Sequence, residues 1–420
     1  MARFPKGDPA LIQTIIATLH DPPLASGVDF ARFPEATWLR SEPWLDTSGL
    51  ALYLLQRIFQ LGLEAAIPRG VLKRLEEKQR RNTQRTGQML REWKELNDAF
   101  HLAGLRYVNL KGFTLSPESC QSSALRVQSD FDFLIDPRHM DAATSLLLAR
   151  GYEPSGANAR SAEFKPKRRG YNSLESQYSI TCRASVELHT TVEGSPHAAR
   201  GGQCDPRIER PGVWQHRGDV FAALLPEDNF IYQALHLLGH LRHEHTKPSW
   251  LLEFRNHARA RAHDAAFWVK VQDRAAEHPA APLALGLSVL LASRLLGDVF
   301  PASFSSWARG QLDPRVLLWA SCYGERSVLA DVPGTKLHLF LEEAISGGQA
   351  PAKNPHVMLR LLPARLRPYR SVRTMWYRFL FHCQQDLFYL RERAHWRRLV
   401  KLLRESEGGV IRVTRADDTR

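Results

Sequence analysis

Asp130 and Asp132 stand two residues apart in the run DFDFLI, Asp130 to Ile135. In an extended segment, alternation sends both carboxylates to one face, about 7 Å apart at the backbone, close enough to share divalent cations. Phosphoryl and nucleotidyl transfer use such a geometry: two ions roughly 4 Å apart hold a triphosphate, activate the attacking oxygen and neutralise the leaving pyrophosphate. A third carboxylate from a neighbouring strand completes a site of this kind. Glu187, in the alternating run VELH, is the candidate, and His189 shares its face.

Upstream, Lys111-Gly112 follows a short β-forming run, RYVNL, and precedes FTLS. Gly112 lacks a Cβ, so the backbone there can approach phosphate oxygens, and free N–H groups at a helix start add to the attraction. Lys111 supplies a compact positive charge, Thr114 a hydroxyl, and Arg126 a guanidinium four residues before Asp130. Ser129, adjacent to Asp130, joins them as a nucleotide-contact candidate.

His236, His240 and His243 recur on a helical face. The run HLLGH lacks the glutamate base of a HExxH metalloprotease site, so packing or contact with the nucleotide cleft is expected of them rather than zinc binding. His189, His236 and His240 are secondary site candidates, and Glu253 is placed to orient an imidazole.

The elements that must position these groups follow from the pattern. Residues 1 to 104 read as helical. LALYLLQRIFQLGL is apolar on nearly every side, as in a bundle, with Pro68 expected to end it. Met89, Trp93, Leu96 and Phe100 then recur on one helical face before a Gly104 cap. RYVNL predicts a strand entering a turn, DFDFLI a second strand, and Asp136-Pro137 the capped start of a helix. QYSITCRASVELHT predicts a hairpin after the basic loop KPKRRGYN. From Pro226 the chain reads as helical again, and a Gly/Pro-rich link, Ser346 to Pro355, precedes an Arg- and aromatic-rich end.

Three stretches in this order resemble the uncharacterised nucleotidyltransferases of the polymerase-β-like superfamily. They are VNLKGFTL (Val108 to Leu115), LRVQSDFDFLIDPRHMDAATSLLLARGYEP (Leu125 to Pro154) and SVELHTTV (Ser185 to Val192). A further piece, Leu224 to Phe254, is similar to the helical segment after the family's core, so that the resemblance covers roughly residues 35 to 260. It implies an α+β fold: a small mixed β-sheet core flanked by extensive N- and C-terminal helical regions. It implies Asp130 and Asp132 as metal ligands, Glu187 as third acidic position, Mg2+ or Mn2+ as cofactor, and transfer of a nucleoside monophosphate from an NTP, ATP being the expected one. The chain departs from many members in having Lys-Gly for Gly-Ser and Glu for Asp at the third carboxylate.

The expected organisation is a helical region over 1–104, the core over 105–195, a helical region completing the cleft over 196–345, and a basic aromatic segment over 346–420. The formal net charge of +13 favours polyanionic partners without choosing among them. The five cysteines are odd in number and form no CxxC pair, which suits a reducing compartment. With no secretory h-region and no spanning apolar run, since Pro282 to Leu296 is short and holds Arg294, the expected location is the cytoplasm. The acceptor is left open among small molecule, peptide and nucleic acid. In the C-terminal segment Phe379, Leu380, Leu387 and Leu390 fit a core stripe, with nucleic-acid contact as the alternative use. Two rival functions stand beside transfer: an inactive protein of this fold that binds nucleic acid or a protein partner, and a kinase-like phosphoryl transferase.

Overall fold

The computed structural model describes residues 7–24, 28–158, 160–167, 176–181, 183–192, 204–243, 246–330, 335–347 and 372–405. The chain divides into two compact units: a larger one, Pro5–Leu238 with Lys247–Gly310, and a smaller one built mainly of Gly239–Thr246 and Gln311–Arg420.

The larger unit opens with four helices, α1 (Pro9–Leu19), α2 (Glu35–Ser48), α3 (Ala51–Leu61) and α4 (Arg69–Leu102). The helix expected to run to Pro68 stops earlier. Gly62, at φ 65°, ends α3 in the left-handed conformation that glycine adopts without a Cβ penalty, and Pro68 caps the start of α4 instead. Strands and short helices follow: β1 (Tyr107–Leu110), β2 (Asp130–Ile135), α5 (Met140–Ala149), β3 (Tyr152–Ala157), β4 (Ser161–Pro166), β5 (Ser185–His189), α6 (Pro206–Glu209), β6 (Gly212–His216) and β7 (Asp219–Ala223). The helices α7 (Pro226–Leu241), α8 (Pro248–Ala260), α9 (Ala265–Ala275), α10 (Ala281–Leu296) and α11 (Ala302–Gly310) complete the series. The last residues of α7 belong to the smaller unit.

The strands form one seven-stranded mixed sheet in the order β3-β4-β5-β2-β1-β7-β6, so the fold is α+β. The expected hairpin over Gln177 to Thr190 does not form. Ser176–Tyr178 make a single 3-10 turn, Cys182 lies outside the described residues, and β5 pairs antiparallel with β4 and parallel with β2. Two hairpins that alternation did not reveal, β3–β4 and β6–β7, flank the core strands.

One face of the sheet packs on α4. The stripe Met89, Trp93, Leu96 and Phe100 meets Phe131, Phe133 and Ile135 of β2 and Val186 and Leu188 of β5, all buried. Trp93 touches the rings of Phe113, Trp214 and Phe221 at 4.6–5.6 Å. Burial of such side chains stabilises by about 1.5–3 kcal/mol each, and it fixes which face the intervening residues of β2 and β5 present. Asp136 accepts from Arg138 N and starts the turn leading into α5, as its position before Pro137 predicts.

The apolar segment from Pro282 is the largely buried α10, and no helix among the described residues is long and apolar enough to cross a membrane.

In the smaller unit α12 (Pro314–Trp319), a π-helical turn (Ala320–Gly324), α13 (Glu325–Val328), α14 (Leu337–Ile345) and α15 (Val372–Glu405) follow one another. The expected core stripe on α15 is not buried: Phe379, Leu387 and Leu390 are 42%, 67% and 53% exposed. The packed face instead carries Tyr389, Trp396 and Val400, where Trp396 lies against Tyr323 and Phe340, and Tyr389 stacks on Phe340. Aromatic partners on the facing helices decide the burial, which leucine spacing alone does not reveal. Residues 348–371 and 406–420, including most of the Gly/Pro-rich link and the first part of the basic segment, lie outside the described residues, as do residues 168–172 of the basic loop.

Candidate active site

Parallel pairing of β2 with β5 sets Asp130 opposite Ser185 and Asp132 opposite Glu187. Because Phe131, Phe133, Val186 and Leu188 are turned into the α4 core, Asp132, Glu187 and His189 are turned to the other face. One donor atom from each of Asp132, Glu187 and His189 lies within 4.8 Å of the others. His189 Nε2 is 3.1 Å from Asp132 Oδ1 and 3.7 Å from Glu187 Oε2. No other such group of three potential metal-binding side chains occurs among the described residues. Asp130 stands outside this tight group, although its charge and that of Asp132 act on each other.

The donor set suits a divalent cation. Two carboxylates offer the hard oxygens that Mg2+ and Mn2+ take, and an imidazole extends the range toward Mn2+. A cation already leans on it: Lys111 Nζ is 3.2 Å from Asp132 Oδ1. Burial alone would raise the Asp132 pKa, but the Lys111 charge and His189 outweigh it and hold the carboxyl well below its usual range. Asp130 moves the other way. Burial and the Asp132 charge push it up, against the pull of Lys111, Arg126 and Lys247. For Lys111 burial would favour loss of the proton, yet the charges of Asp132 and Asp130 prevail and raise its pKa.

Lys111 reaches Asp132 through a strained turn. Its φ is 47°, uncommon for a residue with a Cβ and costing about 1–3 kcal/mol. Thr114 holds the turn by donating both N–H and hydroxyl to the Lys111 carbonyl at 3.2 and 2.8 Å. Gly112 follows at φ 59°, where a Cβ would come within 3.2 Å of Gln128 Oε1. The Thr114 hydroxyl is thus engaged within the turn. Ser129 is exposed, and its carbonyl accepts the Ser185 N–H.

Arg126 is fixed from behind. Its Nε is 3.2 Å from the Glu253 carboxylate, which also accepts the Tyr53 hydroxyl at 2.8 Å. Glu253 therefore orients a guanidinium and not an imidazole as expected, because α8 brings it beside Arg126 in the interior. Lys247, at the start of α8, completes the positive side, and burial lowers its pKa. Neither Lys247 nor Tyr53 was marked by the sequence: both reach the site through packing of remote helices. His236 stacks on Tyr232 and meets Trp250 edge-on at a centroid distance of 4.7 Å, a packing role. His240, half-buried, falls in the smaller unit.

A family model described as "Uncharacterised nucleotidyltransferase" matches residues 34–297, which takes in every strand of the sheet and the helices from α2 to α10. No curated protein matches the chain.

Proposed function

The chain belongs to this family of uncharacterised nucleotidyltransferases, and from that premise we propose that it moves a nucleoside monophosphate from an NTP, ATP being the expected donor, to an acceptor hydroxyl. The observation that supports this reading is the in-register pairing that sets Asp132 beside Glu187 and His189, with Lys111 on the same carboxylate.

Asp130, Asp132 and Glu187 are the residues to hold Mg2+ or Mn2+, with His189 able to join them. Bound there, the metal would neutralise the triphosphate and lower the pKa of the attacking hydroxyl. The acceptor oxygen attacks the α-phosphorus in line, and the bond from that phosphorus to the bridging oxygen breaks. Pyrophosphate leaves with the electron pair, and Glu187 takes the acceptor's proton. Lys111 and the Gly112 turn steady the β- and γ-phosphates, and Arg126, held by Glu253, adds charge beside Asp130. Ser129 and Thr114 border the same turn. His236 and His240 have no step in this scheme.

The test is transfer of label from α- and γ-labelled ATP to candidate acceptors with Mg2+. Label should move from the α-position only, and the double variant Asp130→Asn, Asp132→Asn should abolish it while keeping the fold. Transfer from the γ-position would assign a kinase-like reaction instead. Turnover that persists in the double variant defeats the mechanism.

A further inference from the structure

Away from the carboxylates, a cavity of about 460 Å³ opens in the larger unit between α3, α8 and the loop at Pro117–Gln121. Its size lies within the usual range for small-molecule sites. Its charge is unbalanced. Arg57, Arg255 and Arg259 line it, and all three act on a single carboxylate, Asp21. Arg255 and Arg259 approach Asp21 Oδ2 at 3.3 and 2.7 Å, whereas Arg57 donates to the Thr18 and His20 carbonyls and to Gln60. The one acidic side chain in the lining, Glu118, is engaged elsewhere, by His257 and Arg261. Three guanidiniums against one carboxylate leave two positive charges.

The three differ in exposure: Arg255 is buried, Arg57 half-buried and Arg259 exposed. Arg255 is only 4% exposed, and among the described residues its Nε has no hydrogen-bond partner. Burial and the neighbouring Arg259 push its pKa down to about 10. A buried charge without full compensation is costly, so the pocket favours an anion that would supply what Asp21 alone does not. The rest of the lining is rich in amides: Gln56, Gln60, Gln121 and Asn256. Such side chains donate to and accept from hydroxyl groups.

We propose that this cavity binds a free phosphomonoester that carries hydroxyl groups, a sugar phosphate in chemical class, with the dianionic phosphate on Arg57, Arg255 and Arg259 and the hydroxyls on the surrounding amides. A phosphomonoester bears nearly two negative charges at neutral pH, which matches the surplus, and guanidinium forks fit phosphate oxygens. The assignment is independent of nucleotide transfer. The cavity shares one wall with the candidate active site, since Tyr53 lines it and donates to the glutamate that holds Arg126.

Calorimetric titration of the full chain in EDTA, without nucleotide, tests it. Glucose 6-phosphate and glycerol 3-phosphate are the probes, and glucose and glycerol are the neutral controls. At least one phosphomonoester should bind where its neutral counterpart does not, and added salt should weaken it. The double variant Arg57→Gln, Arg259→Gln should weaken binding at least about tenfold. Gln60→Glu, at an exposed position that puts a carboxylate beside Arg57, should do the same without disturbing a buried group. Binding should survive in Asp130→Asn, Asp132→Asn, which separates this pocket from the metal cleft. The proposal fails if neither phosphomonoester binds, or if Gln60→Glu binds as tightly as the parent. It fails equally if only phosphatidic acid vesicles or a 5′-phosphorylated oligonucleotide bind.

Discussion

Lys111 and Asp132 form a buried ion pair, 3.2 Å from Nζ to Oδ1, with side chains 14% and 2% exposed. The ammonium shares the carboxylate that, in the proposed mechanism, also holds a divalent ion. Replacing Lys111 by Met should therefore have two opposite effects. Without metal, the buried carboxylate, left with His189 but without its ammonium partner, should lower stability by about 3 kcal/mol, read as a drop in chemical denaturation midpoint. Affinity for Mn2+ alone should rise about tenfold, because a competing charge has gone. Mn2+ titration that gives the same affinity for parent and variant would show that the metal does not use Asp132.

Glu187 faces Asp132 across the β2–β5 pairing. The Glu187→Gln variant keeps shape and loses charge, so ion affinity and transfer rate should both fall, by about 100-fold in rate, with the melting temperature little changed. Glu187→Asp should recover part of the loss. Equal rates for Glu187→Gln and the parent would remove this residue from the mechanism.

Tyr53 acts at one remove, through Glu253 and Arg126. The Tyr53→Phe variant deletes a buried donor and should cost about 1 kcal/mol, together with weaker NTP binding as Arg126 loses its fixed partner. Glu253→Ala should cost more, about 3–5 kcal/mol, since it strands a buried guanidinium. Near-identical stability of these two variants would mean that the Arg126–Glu253 pair carries little.

Glu118 supplies a pH dependence. Burial would raise its pKa, but bonds from His257 and Arg261 bring it down to about 2, against an ordinary 4.5. A depressed carboxyl stabilises the fold above the unfolded value, and that contribution is lost as pH falls from about 4.5 through about 2. The Glu118→Gln variant should flatten the acid limb of stability in that window and leave the neutral-to-alkaline limb unchanged. An acid limb as steep as the parent's would place the acid sensitivity elsewhere.

Local patterns carried much of the site. Period-two alternation at Asp130 to Ile135 and Ser185 to His189 placed the carboxylates and the imidazole on faces opposite Phe131, Phe133, Ile135, Val186 and Leu188, because one face of each strand is committed to the α4 stripe. The Lys111-Gly112 turn and the Asp136 cap were equally legible, since each depends on neighbours in sequence. Long-range partners were not. Nothing in VELH says that its strand pairs with residues near 130 rather than with Gln177 to Thr181, and strand choice is settled by tertiary packing. The β3 strand was hidden because YEPSGA mixes Pro, Gly and exposed polar residues. Lys247 and Glu253 reach the site only because α8 folds back on Arg126, more than a hundred residues upstream.

The place of β5 in the sheet, between two strands that both precede it in the chain, has a consequence for assembly. Removing that one strand would leave β4 and β2 each with a raw, unpaired margin, and it would take Glu187 and His189 away from Asp132 at the same moment. If an ion needs donors from both strands, it would be held tightly only once this central seam has closed, because without β5 only the aspartates of β2 remain. Tight cation binding should then appear during refolding together with completion of the sheet.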